Sequence, residues 1–161
     1  MSQRGTDMAG RETDLHETDL HETVREQLAG NGRRYTANCR ALVEALGGAA
    51  QPLTVVEVLE RAPSVVQSSA YRSLSLLEQA GVVQRIVTAD DFARYELASA
   101  ISGHHHHMVC TECGNVVDFE LPEAFEDELD AVLREMARRG RFEPADHQLD
   151  VIGTCADCPT G

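Results

Sequence analysis

The 161-residue chain contains no lysine, so every one of its 14 basic residues is an arginine and any basic surface must be built from guanidinium groups alone. No run approaches the ~20 apolar residues that a membrane-spanning helix requires, and no signal-peptide pattern opens the sequence. A cytoplasmic protein without a membrane partner is therefore expected. Positive charge is scarce: 27 acidic residues give a formal net charge of −13. That balance argues at first against a nucleic-acid partner. A hydrophobic fraction of 42% excludes a wholly disordered chain.

The charge is unevenly spread. Residues 1–32 hold three arginines and seven acids, a net of −4. Residues 33–88 hold six arginines against Glu44, Glu57, Glu60 and Glu78, a net of +2. The remaining residues, 89–161, carry −11. The middle of the chain is thus mildly basic, and the whole-chain average hides it.

Four of the five cysteines form two matched pairs, Cys110-Thr-Glu-Cys113 and Cys155-Ala-Asp-Cys158. Without a secretory signal, such pairs read as two knuckles closing a tetrahedral thiolate site for zinc rather than as disulfides. Cys39 stands apart as a small, part-buried helix residue.

Residues 1–22 repeat Glu-Thr-Asp-Leu-His at 12–16 and 17–21. The segment reads as a disordered tail or frayed helix whose histidines, His16 and His21, are solvated. A winged-helix domain is expected over 23–97. Val24 and Leu28 suit a short helix stopped at Asn31-Gly32, Thr36 caps a second helix, and Thr54 caps a third ending before Pro63. A fourth helix runs from near Ser68 to Ala80, closed by Gly81. The β-rich runs 82–87 and 92–97 flank the polar turn Thr88–Asp91 as a hairpin.

After a linker at 98–103, residues 104–161 read as a small α+β domain. Strands at 108–109 and 116–117 flank the first knuckle. A helix over about 122–139 has acids early and arginines late, matching its macrodipole. Its apolar face is Phe125, Leu129, Val132, Leu133 and Met136, and an alternating strand leads into the second knuckle.

Two polar constellations carry chemistry. Ser68, Ser69, Tyr71, Arg72 and Ser75 lie near a helix N-terminus with groups suited to phosphates and base edges, and Arg33 and Arg34 precede a neighbouring helix. The run His104-His105-His106-His107 abuts the first knuckle. On an extended strand, His104 and His106 face one way and His105 and His107 the other. Four histidines then serve two metal sites, with Glu96, Asp118, Glu126 and His147 available to complete them.

With these motifs in order, the chain resembles the ferric uptake regulator (Fur) superfamily, which includes zinc and peroxide sensors. The resemblance covers about residues 30–158. It rests on Ser69-Ala-Tyr-Arg-Ser-Leu, Gln79-Ala-Gly-Val-Val, Tyr95-Glu-Leu, the run from His104 to Gly114, His147, and Gly153-Thr-Cys-Ala-Asp-Cys158. It implies an N-terminal winged helix-turn-helix domain, a C-terminal dimerisation domain, and a homodimer binding a pseudo-palindromic operator when metal is present, usually as a repressor.

By position, the resemblance implies structural zinc on Cys110, Cys113, Cys155 and Cys158. It implies an interdomain sensor site on Glu96, His105, His107 and Asp118, and a second site on His104, His106, Glu126 and His147. Tyr71 and Arg72 match the family's DNA-contacting pair. Two departures divide the expected regulatory metal between zinc and ferrous iron, with manganese as a third candidate. His106 replaces the acid of iron-type runs, whereas Ala98 stands where many zinc sensors have a cysteine. A first-domain histidine is also missing near Gln51-Pro52. Peroxide sensing, a zinc-stabilised module without DNA binding, and a metal-dependent hydrolase are the other readings; the sequence offers no separate substrate-binding segment for the last.

Overall fold

The computed structural model describes residues 9–88 and 92–158, with side chains from residue 19 onward. It divides into two compact units, Met1–Ile86 with Ala93–Gly103, and Val87–Phe92 with His104–Gly161.

The first unit begins with α1 (Ala9–Gly30), which replaces the expected tail with helix from residue 9 onward. Tertiary contact explains the difference. Leu20 packs against the core, and His21 is buried, its Nδ1 2.7 Å from the Tyr35 hydroxyl and its Nε2 3.2 Å from Glu44 Oε1. His21 is thus an anchored residue and not solvated filler; residues 1–8 and the His16 side chain lie outside the described residues.

Thr36 caps α2 (Ala37–Gly47) through the Cys39 N–H, and Cys39 is buried. Thr54 and Glu57 form a reciprocal capping box on α3 (Val55–Arg61). Helix α4 (Gln67–Gln79) buries Ala70, Leu74 and Leu77 at helical spacing. It ends where Gly81 takes φ +71, and the Gln27 side chain of α1 donates to the Ala80 and Gly81 carbonyls. Gln27 thereby satisfies acceptors that a helix end leaves open.

Strand β1 (Leu53–Thr54), too short to announce itself in sequence, pairs antiparallel with β3 (Ala93–Leu97), and β2 (Val83–Val87) lies on the other side of β3. The expected turn residues Ala89, Asp90 and Asp91 lie outside the described residues. The segment expected as a linker carries a single helical turn, α5 (Ser99–Ser102).

The second unit is a three-stranded sheet with one helix. Strand β4 (His106–Cys110) is central, antiparallel to β5 (Val116–Phe119) and parallel to β6 (Asp150–Gly153). Helix α6 (Glu123–Gly140) runs through Gly140, and Arg141 takes the left-handed residue after it. No side chain of α6 is buried: Phe125, Val132 and Met136 of the expected apolar face are 54%, 51% and 63% exposed.

Candidate metal centres and nucleic-acid interface

In the first unit, burial of Ala70, Leu74 and Leu77 turns the opposite face of α4 outward. Ser68, Tyr71, Arg72 and Ser75 are exposed there, whereas Ser69 is half-buried. The Arg72 Nε donates to the Ser68 carbonyl at 3.1 Å, which holds the guanidinium along the helix. Arg33 joins Tyr71, Arg72, Ser75 and Gln79 around one shallow groove of about 390 Å³. Arg34 is exposed on the same pre-helical segment. The surface presents guanidinium groups, hydroxyls and one phenol, a set able to bond phosphates and base edges.

In the second unit, the two knuckles bring all four cysteines together. Cys110–Cys158, Cys113–Cys155 and Cys155–Cys158 sulfur separations are 3.9, 3.7 and 3.7 Å, and none of the cysteines is in a disulfide. Zn–S bonds of about 2.3 Å in a tetrahedron imply S···S edges of about 3.8 Å. The thiols therefore already stand at the spacing of a zinc tetrahedron. The Cys155 N–H on its sulfur, followed by the Cys113 N–H, lowers the Cys110 pKa to about 6. The Cys158 thiol is pushed up, first by its hydrogen bonds with Cys113 and Cys155. The Cys110 thiolate forms readily while the Cys113 and Cys158 thiols are pushed up, so a bound cation favours their ionisation.

Strand alternation separates the histidines as expected. His107 is paired across the sheet with Asp118 of β5 and Asp150 of β6, so these three share a face. His107 Nε2 lies 3.9 Å from Asp118, and Nδ1 lies 3.3 Å from Asp150 Oδ1, which also accepts from Gln148 at 3.0 Å. The His105 ring stands 5.1 Å from that of His107. Glu96, the fourth member expected at this site, is carried by β3 in the first unit.

The other face holds His104 and His106, joined by Glu126 from the first turn of α6 and by His147. Glu126 Oε1 lies 2.9 Å from His104 Nε2 and 2.8 Å from His147 Nε2, and its Oε2 lies 3.1 Å from His106 Nε2. The hydrogen bond with His106 is the main cause of a lowered Glu126 pKa. Yet Glu126 Oε1 and His147 Nε2 are buried atoms without a hydrogen bond of proper geometry. Donor atoms of four residues converge here, and two of them, Glu126 Oε1 and His147 Nε2, are buried without a hydrogen bond, an arrangement that fits a metal ion. The same residues border a cleft of about 590 Å³ walled by Leu133, Ala137, Phe142 and Pro144.

A model of the ferric uptake regulator family matches residues 30–152. The chain belongs to that family. The ferric uptake regulation protein of Bacillus subtilis (strain 168) is 37% identical over 102 residues, 63% of this chain and 65% of that protein. The chain thus spans just under two thirds of that relative's length. The peroxide operon regulator of the same organism is 28% identical over 137 residues, 83% of this chain and 89% of that protein. Among solved structures, the ferric uptake regulator of Pseudomonas aeruginosa with manganese superposes with a TM-score of 0.65 at 27% identity, covering 82% of this chain and 97% of that one.

Within this Fur-family chain, the groups that sequence reasoning missed are Asp130, Asp146 and Asp150, which stand behind the histidines. Asp130 Oδ1 lies 3.1 Å from His147 Nδ1, and Asp146 Oδ1 lies 3.6 Å from His104 Nδ1. Asp130 was legible in principle, being four residues beyond Glu126 on a helix. Asp150 depends on strand register, which single-sequence patterning does not supply.

Proposed function

We propose that this Fur-family chain is a metal-responsive, DNA-binding transcriptional regulator, a repressor that acts as a homodimer on a pseudo-palindromic operator in the cytoplasm. The observation that carries the reading is the exposed Tyr71–Arg72 face of α4, on a chain whose other unit is assembled around metal-donor clusters. In this reading, Ser68, Ser69, Tyr71, Arg72 and Ser75 enter the major groove, and Arg33 and Arg34 reach the adjoining backbone. Cys110, Cys113, Cys155 and Cys158 hold structural zinc. His104, His106, Glu126 and His147 form a second site. The uncovered apolar face of α6 supports a second copy as its partner.

The regulatory ion, zinc or ferrous iron with manganese as the third candidate, binds His105, His107 and Asp118 and is closed by Glu96. Metal then favours the arrangement in which both winged helices fit successive major grooves, a population shift whose size equals the metal's differential affinity for that arrangement. The domain organisation proposed is a winged-helix domain through residue 97, a hinge at 98–103 and a dimerisation and metal-binding domain from 104. Operator binding measured at buffered free zinc, ferrous iron and manganese tests the proposal. Affinity should rise with one of them, and His105→Ala with His107→Ala should abolish the response. Binding indifferent to chelation and to both substitutions would sink it.

A further inference from the structure

We propose that Asp130 is a positioning residue that holds His147 in the tautomer whose Nε2 lone pair faces the Glu126 centre. The inference rests on the reading of His104, His106, Glu126 and His147 as a metal site. Glu126 and Asp130 are one turn apart on α6 and therefore project from the same helix face. Between them they grip both nitrogens of a single ring: Glu126 Oε1 meets His147 Nε2 at 2.8 Å, and Asp130 Oδ1 meets His147 Nδ1 at 3.1 Å.

The two nitrogens cannot play the same role. A nitrogen that ligates a metal must be free of its proton, and the neutral ring then keeps its one proton on the other nitrogen. A carboxylate beside Nδ1 accepts that proton's hydrogen bond, selects the tautomer and raises the basicity of Nε2. Asp130 is itself held one further turn along, where Arg134 Nη2 donates to its Oδ2 at 2.7 Å. The row Glu126, Asp130, Arg134 therefore orders ligand, positioning group and support at a spacing of four.

The other two rings of the cluster lack such a hold. His104 Nδ1 is 3.6 Å from Asp146, beyond hydrogen-bonding distance, and His106 Nδ1 is buried without a hydrogen-bond partner among the described residues. Among these three histidines, His147 is thus the ring whose outer nitrogen stands within hydrogen-bonding distance of a carboxylate. It also arrives from an irregular segment rather than from β4, so it depends most on a side-chain partner for its orientation.

The test uses the full chain with its cysteine site zinc-loaded and cobalt(II) as the probe. The cobalt-binding class that disappears in His147→Ala defines the site. Asp130→Ala should weaken that class by ~10–100-fold, with Asp130→Asn between it and wild type, and exposed Asp127→Ala unchanged. Nitrogen-15 NMR of the protein with diamagnetic zinc in place of cobalt at this site should show a slowly exchanging His147 Nδ1 proton in wild type and faster exchange with solvent in Asp130→Ala.

Wild-type cobalt affinity and unchanged Nδ1 proton exchange in Asp130→Ala would overturn the inference while leaving the metal site standing. If His147→Ala binds cobalt as wild type does, the site reading fails and the inference falls with it. Should Asp130→Ala not fold, Asp130→Asn with its zinc retained decides the matter, and unaltered cobalt affinity there counts against the proposal.

Discussion

The two units of this chain are held together by different chemistry. In the first, Val24, Leu28, Leu42, Val43, Val58, Leu74, Leu77 and Val82 are completely enclosed, an ordinary apolar core stabilised by removal of hydrocarbon from water. In the second, the buried apolar side chains among the described residues are Val109, Val116 and Cys110, beside the fully enclosed imidazoles of His106 and His107. Helix α6 of that unit has no buried side chain. So little hydrocarbon cannot offset the entropy of ordering such a unit. In the function proposed, bound cations at its donor clusters and a second chain on its uncovered helix face supply the remainder. One unit is a fold that carries a surface; the other is a fold whose completion depends on what binds it.

This contrast is most severely tested at Cys110. Apparent zinc-binding free energies for structural thiolate sites are on the order of 10 kcal/mol, so Cys110→Ser should release the zinc and abolish amide protection throughout β4, β5 and β6. The protection of α2, α3 and α4 should survive. Hydrogen exchange with metal analysis reads both, and simultaneous loss in the two units would break the distinction.

The opposite perturbation is Leu74→Ala, which hollows the first core. It should cost ~2–5 kcal/mol of that unit's stability and leave one zinc per chain. A loss of zinc in this variant would mean that the apolar core also sustains the thiolate site.

The smallest effect is silent near neutrality. Burial, the largest cause, raises the Tyr35 pKa from 10.0 to about 12, so the folded first unit holds a phenolic proton that the unfolded chain releases first. Its contribution is complete below pH 10 and is lost as pH rises toward about 12. Unfolding midpoints of α1–α4 in denaturant should decline over that window, with the decline reduced in Tyr35→Phe. An identical slope in both proteins would remove Tyr35 as its source.

Much of the first unit was readable because its punctuation is local. Thr36, Thr54 and Gly81 mark helix ends through groups within a few residues of the backbone they satisfy. The long extension of α1 was not, because the polar repeat contains no apolar face. It is held through Leu20, which lies where a side chain on Gly47 would meet it at 3.1 Å, and through His21 on Tyr35 and Glu44. Such contacts join residues more than a dozen positions apart and leave no periodic trace.

In the second unit, spacing alone identified the cysteine pairs, and strand alternation anticipated the opposite faces of His106 and His107 on β4. The carboxylates behind them escaped notice among 27 acids. Register across β4 and the turn spacing of α6 select Asp150 and Asp130, and both are properties of pairing rather than of composition.

The run of four histidines, whose last two residues open β4, makes this segment chemically degenerate. A slip of one residue would turn every side chain of the strand to the opposite face, yet each face would still present imidazoles. The strand therefore does not encode which site is which. That information resides in its neighbours: Glu126 and His147 on one side, Asp118 and Asp150 on the other. Evolution or design could retune either site by exchanging one flanking carboxylate, without touching the histidine run that serves both.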